Sequence, residues 1–294
     1  MENKIILVTG ATDGIGKITA TSLAEQGHTV IVHGRNKQKA ETVLNEIISK
    51  TGNKKIDILI ADMLSLADVK RAAEEFEQKY PKLDVLVNNA GAIFSKNRET
   101  TTEGFEKTIT LNLMAPTLLM LSLEKALEKS SSARIINMYS AMHKRGGKPD
   151  FSDFQLEKSY KPDRAYGLSK LYLVWATRHF AKLLKEKGIK NITVNGTHPG
   201  AVATNFGQEP DKGFLINTIF KVALRFMPKP EVGAVSSIYL ATSPEVEKIT
   251  GEFFDPKNKI EKPDDKYYST ANEQIVWDYC MSILQPYLSQ NSFL

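Results

Sequence analysis

Tyr166 and Lys170 stand four residues apart in the run YGLSK, a spacing that puts both on one face of a helix. A phenol of ordinary pKa, near ~10, is a poor base at neutral pH, but an ammonium beside it favours the phenolate. Such a pair can give a proton to a carbonyl oxygen or remove one from an alcohol. Ser140 lies just past the apolar run from Arg134 to Met138, so its hydroxyl stands at an expected strand end, where it can polarise and orient a substrate oxygen. Each residue alone has an ordinary reading. A Tyr and a Lys at helical spacing are commonly a surface pair, and a single serine is commonly a loop hydroxyl.

A second constellation lies near the amino terminus. The segment ILVTGATDGIGKITATSLAEQG reads as a strand, then Gly10, Gly14 and Gly16, then a helix. Glycines let the backbone turn sharply and come close to a diphosphate, whose charge is favoured at a helix N-terminus. The spacing is G-x-x-x-G-x-G, and its plain alternative is a tight strand-to-helix turn. In VIVHGRN, Gly34 stands where a carboxylate would bind the ribose 2′-hydroxyl of NAD, and Arg35 follows it. A planar cation there suits a 2′-phosphate, so NADP(H) is favoured and NAD(H) is the alternative. The plainer reading of Arg35 is a solvated loop residue. Lys17 is a further basic candidate that can equally point to solvent. Asp62 either touches the adenine or caps a helical segment beginning at Leu64.

The elements that must position these groups alternate. Strands are expected at Ile5 to Val8, Thr29 to Val32, Ile56 to Ile60, Val85 to Val87, Arg134 to Met138, Ile192 to Asn195 and Glu252 to Phe254. Helices are expected at 15–26, 37–50, 66–79, 103–129, 163–187, 214–226, 232–242 and 272–284. This alternation implies an α/β fold, a single doubly wound (Rossmann-type) parallel sheet with helices on both faces. Several strands are apolar throughout, as expected when both faces are covered. No repeat or low-complexity linker divides the 294 residues, so one dinucleotide-binding and catalytic domain over 1–294 is expected, with irregular regions at 142–163 and about 204–230 and a C-terminal extension at about 256–294.

Composition narrows the class. Hydrophobic residues are 41% and charged residues 25% of the chain, which fits a globular protein and argues against disorder. The basic residues behind the formal charge of +5 are dispersed, so a nucleic-acid partner is not implied. Cys280 is the single cysteine. It excludes an intrachain disulfide and a thiolate metal cluster, and it fits a reducing, cytoplasmic setting. The apolar run after MENK is too short for a signal-peptide core, and no stretch reaches the ~18 uninterrupted apolar residues of a membrane span. His143, near Ser140, lacks the companions of a metal site, so no metal is predicted.

Taken together, TGATDGIG, NNAG (Asn88 to Gly91), Ser140, YGLSK and HPG (His198 to Gly200) occur in the order of the short-chain dehydrogenases/reductases. The chain resembles that family from about Lys4 to Phe254. The resemblance implies an oxidoreductase that interconverts a carbonyl and an alcohol, with Tyr166 as acid or base, Ser140 orienting the substrate oxygen, and Lys170 holding the nicotinamide ribose. It further implies that Asn112 bends its helix and anchors a water, completing a relay from Tyr166 through the ribose hydroxyl and Lys170. The implied cofactor set is Gly10, Thr12, Asp13, Gly14, Ile15, Gly16, Arg35, Asn36, Asp62, Met63, Asn89, Ala90, Gly91, Tyr166, Lys170, Pro199, Gly200, Val202 and Thr204. Asn88 to Gly91 are expected to stabilise the central strand and cover the adenosine, and Val202 and Thr204 to contact the carboxamide. His198 is expected to be structural.

Two features depart from the common pattern. Asp13 stands where many NADP-preferring relatives carry a basic residue, and the interval from Ser140 to Tyr166 is long. That insertion and the later SPEVEKITGEFFD resemble the retinol dehydrogenase-like branch. In GFLINTIFKVALRFM, apolar residues from Phe214 to Met227 cover most of a helix. It reads as a lid over an apolar pocket, as an interfacial membrane-contacting helix, or as a core or subunit-packing helix. A lid favours a retinoid, a lipid aldehyde or an aromatic ketone. The family also implies a homodimer or homotetramer. The rival from another class is a redox sensor that holds NADP without turnover; an intact proton relay counts against it.

Overall fold

A computed structural model describes residues 3–200, 229–263 and 265–288. Short apolar and β-branched runs form β1 (Ile5–Val8), β2 (Thr29–Gly34), β3 (Ile56–Ile60), β4 (Val85–Asn88), β5 (Ala133–Met138), β6 (Ile192–Thr197), β7 (Phe253–Phe254) and β8 (Ile260–Glu261). They make one sheet in the order β3-β2-β1-β4-β5-β6-β7-β8. The neighbours from β3 to β7 are parallel, and β8 adds an antiparallel edge. The order reverses between β1 and β4, leaving a crevice at the carboxyl ends of these strands where ligands bind in Rossmann-type sheets.

Helices cover both faces. On one face, α1 (Gly14–Glu25) and α2 (Lys37–Thr51) bury Ala20, Leu23, Val43 and Ile47 against Ile6, Val8, Val30 and Val32. The other face holds α3 (Leu66–Lys79) and the long α7 (Pro162–Glu186), with Phe76, Leu168, Tyr172 and Trp175 in a core shared with Leu7, Leu86 and Ile135. Strands covered on both faces read as near-continuous apolar runs; β1 is apolar throughout, and β4 is so up to Asn88. α8 (Pro230–Thr242) joins the first face and α9 (Thr270–Leu284) the second, where Phe154 stacks on Tyr279 with ring centres 3.9 Å apart. Caps set several helix starts: Asn36 Oδ1 accepts from Lys39 N at 3.0 Å and Ser65 Oγ from Asp68 N at 3.2 Å, each contributing about 1 kcal/mol.

The helix expected over 103–129 is interrupted, which corrects the sequence reading. Residues 101–105 form a turn, with Thr101 N donating to Phe105 O at 2.7 Å. Glu106 then caps a single turn, α4 (Lys107–Ile109), by accepting from Thr108 N and Ile109 N. A π-helical turn, Thr110–Met114, leads into α5 (Ala115–Ser122), and α6 (Glu124–Glu128) follows. Pro116 has no N–H for the carbonyl four residues earlier, so the helix widens there. Among the described residues no helix is long and apolar enough to cross a membrane. The segment 214–226 and its three readings, with Val202 and Thr204, lie outside the described residues.

Candidate active site

The crevice is built from four loops at strand ends. The first follows β1, where Gly10 takes φ +63° and the chain turns into α1. Gly16 packs so tightly that a Cβ there would stand 2.3 Å from Gly10 O and 2.5 Å from Asn89 Nδ2. The loop is braced from two sides. Asn89 Nδ2 donates to Thr9 O at 2.9 Å, and Thr9 Oγ1 accepts from Asn89 N and Ala90 N, both at 3.0 Å. His33 Nδ1 accepts from Gly10 N while its Nε2 meets Ala61 O, both at 3.1 Å. Burial lowers the His33 pKa to about 4, so the ring stays neutral and can keep Nδ1 as an acceptor. Thr9 and His33 were not expected in this role; both follow from which strands are neighbours, which a linear pattern does not reveal.

Asp13 Oδ1 accepts from Gly14 N at 2.7 Å, capping α1. Lys17 pairs with Glu46 of α2 and so turns toward that helix. Arg35 is exposed at the end of β2, and Asn36 uses its side chain as the α2 cap. Asp62 Oδ1 accepts from Leu64 N at 3.0 Å in a turn ahead of α3. The helix cap is Ser65, however, and the helix begins at Leu66, which corrects the capping alternative for Asp62. Met63 is buried in the core beside Leu66.

The second set lies around β4, β5 and α7. Lys170 is buried, and its Nζ donates to Met138 O at 2.8 Å. The same Nζ lies 5.8 Å from the centre of the Tyr166 ring. Ser140, just beyond β5, hydrogen-bonds the Tyr166 phenol. Burial pushes that phenol up to about 12, with the Ser140 bond pulling the other way. Burial also brings Lys170 down to about 7. Charge proximity alone implies that the ammonium lowers the phenol. Burial prevails, and the phenol keeps its proton at neutral pH, as a proton donor must.

Asn112 sits in the π-helical turn. Its Oδ1 accepts from Ala92 N at 3.1 Å, and its Nδ2 donates to Ala92 O at 3.0 Å and Ser169 Oγ at 3.2 Å. Ser169 Oγ in turn donates to Tyr166 O at 2.8 Å. Gly91 fills the gap between Asn112 and Lys170: a Cβ there would lie 2.9 Å from Asn112 Oδ1 and 3.2 Å from Lys170 Nζ. Asn112, Ser140 and the Tyr166–Lys170 pair, distant from one another in sequence, therefore meet at one strand end. The fourth loop, Thr197 to Gly200 after β6, lies beside them, with Tyr139 N donating to Thr197 O at 2.9 Å. Among the described residues no group of His, Cys, Asp or Glu could hold a metal ion.

Sheet order, crevice and motif set define a nicotinamide-type oxidoreductase fold, and comparison with known proteins agrees. The sequence model of the short chain dehydrogenase family matches residues 4–213; the chain belongs to that family, and within it to the retinol dehydrogenase-like branch. It is 35% identical over 268 residues to retinol dehydrogenase 14 of Homo sapiens, covering 86% of this chain and 78% of that protein. It is also 35% identical over 257 residues to polyprenol dehydrogenase of Homo sapiens, covering 85% and 76%. Among solved structures, a short chain dehydrogenase from Shigella flexneri 2a str. 301 complexed with NADP superposes with a TM-score of 0.66 at 24% identity, covering 87% of this chain and 98% of the other.

Proposed function

We propose that this protein is an NADP(H)-dependent oxidoreductase interconverting an aldehyde or ketone and its alcohol, with Tyr166 as the proton donor and acceptor. The observation that carries the reading is the Tyr166 phenol, bonded by Ser140 and lying near Lys170, at the strand end nearest the crevice. The glycine turn supports a dinucleotide: it leaves no room for a Cβ at Gly16 and opens onto the N-terminus of α1, the kind of cradle a diphosphate fits. The bound cofactor supplies or accepts the hydride.

The chain's own residues do the rest. Tyr166 holds the proton that a developing alkoxide needs. Ser140 donates to the same oxygen region and orients it. Lys170 is anchored by Met138 O, with hydrogens left to hold a ribose hydroxyl. Asn112 braces the loop carrying Gly91 and, through Ser169, the turn of α7 that carries Tyr166. Gly34 and Arg35 support preference for a 2′-phosphate, since no carboxylate repels it there and a guanidinium is at hand. The retinol and polyprenol dehydrogenases among the relatives and the apolar stretch from Phe214 to Met227 support an apolar substrate such as a retinoid, a lipid aldehyde or an aromatic carbonyl.

The test is NADPH and NADH absorbance followed with purified protein against a panel of aldehydes and ketones that includes retinal and a long isoprenoid aldehyde. Turnover of apolar members with NADPH is expected. A protein that binds NADPH yet turns over no member, in either direction, is a sensor instead.

A further inference from the structure

We propose that Glu261, on the edge strand β8, is a positioning residue that holds the two loops flanking the reacting groups through Tyr139 and His198. The inference rests on the oxidoreductase reading above and extends it to a residue outside the motif set.

One carboxylate oxygen makes both contacts. Glu261 Oε1 accepts from Tyr139 OH at 2.5 Å and from His198 Nε2 at 2.9 Å. Tyr139 is the residue before Ser140, and His198 is the residue before Pro199. The histidine tautomer follows from its other nitrogen: Gly200 N donates to His198 Nδ1 at 3.1 Å, so Nδ1 is the acceptor and Nε2 carries the proton. Burial lowers the His198 pKa despite the nearby Glu261 carboxylate, which keeps this neutral arrangement at neutral pH. Gly200 itself turns with φ +72°, and the imidazole is what holds its amide. The Tyr139 ring meets His198 edge-on at 5.3 Å and Phe253 at 5.4 Å.

The sheet explains why β8 supplies the carboxylate. β8 runs antiparallel to β7 with Glu261 opposite Phe253, and β7 pairs with β6 with Phe253 opposite Gly196. The edge strand thus brings Glu261 beside the ends of β5 and β6. Without its oxygen, two largely buried donors lose their acceptor. Both rings are then free to shift, and Ser140 and Gly200 shift with them. Misplacement of a reacting group by about 1 Å is enough to slow a reaction many-fold.

The test compares the full chain with Glu261→Ala, Glu261→Gln and Tyr139→Phe. Three quantities are read: kcat and KM for a carbonyl with NADPH, NADPH affinity by cofactor fluorescence, and amide hydrogen exchange at 197–200 in the ligand-free protein. Glu261→Ala should lower kcat roughly tenfold with little change in carbonyl KM, and should speed exchange at Gly200. Glu261→Gln should recover most of the loss, because an amide oxygen still accepts both donors. A Glu261→Ala kcat within about twofold of wild type overturns the proposal. So does a folded Glu261→Gln as impaired as Glu261→Ala. If Glu261→Ala fails to fold, Tyr139→Phe decides by removing one arm: a lowered kcat at unchanged NADPH affinity supports the proposal, and an unchanged kcat defeats it. Wild type and Tyr166→Phe run alongside. Inert wild type sinks the oxidoreductase reading instead, and Glu261 is then judged by exchange at Gly200 and NADPH affinity; a fully active Tyr166→Phe removes only the acid–base assignment of Tyr166.

Discussion

The Lys170 ammonium lies 5.8 Å from the centre of the Tyr166 ring and directs a 2.8 Å hydrogen bond to the Met138 carbonyl at the end of β5. The lysine is thus fastened to the sheet rather than to the phenol. It keeps a set distance from Tyr166, and its Nζ stands 3.2 Å from where a Cβ at Gly91 would lie. Burial acts on the two groups in opposite senses, raising the phenol to about 12 and lowering the amine to about 7.

If Tyr166 supplies the proton, Tyr166→Phe should reduce carbonyl turnover by about 10²- to 10⁴-fold. NADPH affinity should change little, because only a hydroxyl is lost. Steady-state kinetics beside fluorescence titration separate the two. Comparable turnover in the variant would remove the acid–base assignment.

Lys170 makes stability depend on pH. Unfolded, the amine holds its proton up to about 10.5; folded, only up to about 7. Between those values the unfolded chain binds more protons, so this contribution to stability rises with pH across that window and is at its least favourable below about 7. Lys170→Met should therefore raise Tm by about a few degrees at pH 6, with the gain shrinking toward pH 10. A gain independent of pH would contradict the account.

At the other end of the crevice, Arg35→Ala should weaken NADPH by about tenfold or more and NADH far less. Gly34→Asp should not by itself create NADH preference. A Cβ at Gly34 would stand 2.4 Å from Thr12 Cγ2, so the new side chain has to displace Thr12. Pairing Gly34→Asp with Thr12→Gly should relieve the clash and favour NADH. Equal weakening of both cofactors by Arg35→Ala would show that it does not read the 2′-phosphate.

Two glycines in the first turn of α1 should respond differently. Gly16→Ala drives a methyl to 2.3 Å from Gly10 O, a backbone atom that cannot step aside, and should abolish cofactor binding. Gly14→Ala has open space around it but φ +51°, so its cost is conformational, about 1–2 kcal/mol. Thermal unfolding and NADPH titration of both variants check the contrast; equal effects would refute it.

Most of the strands and helices were legible in order and extent, because a covered strand is rich in apolar residues and an amphipathic helix is periodic. β3 (Ile56–Ile60) and α3 (Leu66–Lys79) coincide with the expected segments. The region 103–129 was not legible, since its apolar residues suit a helix while Pro116 and the Glu106 cap impose local breaks that periodicity does not register. Edge strand β8 is two residues long and exists through pairing with β7, so no pattern announces it.

Sequence alone determined that Gly10, Gly14 and Gly16 begin a helix after a strand, and that Tyr166 and Lys170 share a helical face, because both statements concern neighbours along the chain. Tertiary structure alone decided that Lys170 binds Met138, that His33 holds Gly10, and that Glu261 holds Tyr139 and His198. Those contacts depend on which strands lie side by side and how deeply each group is buried. Burial then set the direction of each proton equilibrium, against what charge proximity by itself implied for Tyr166.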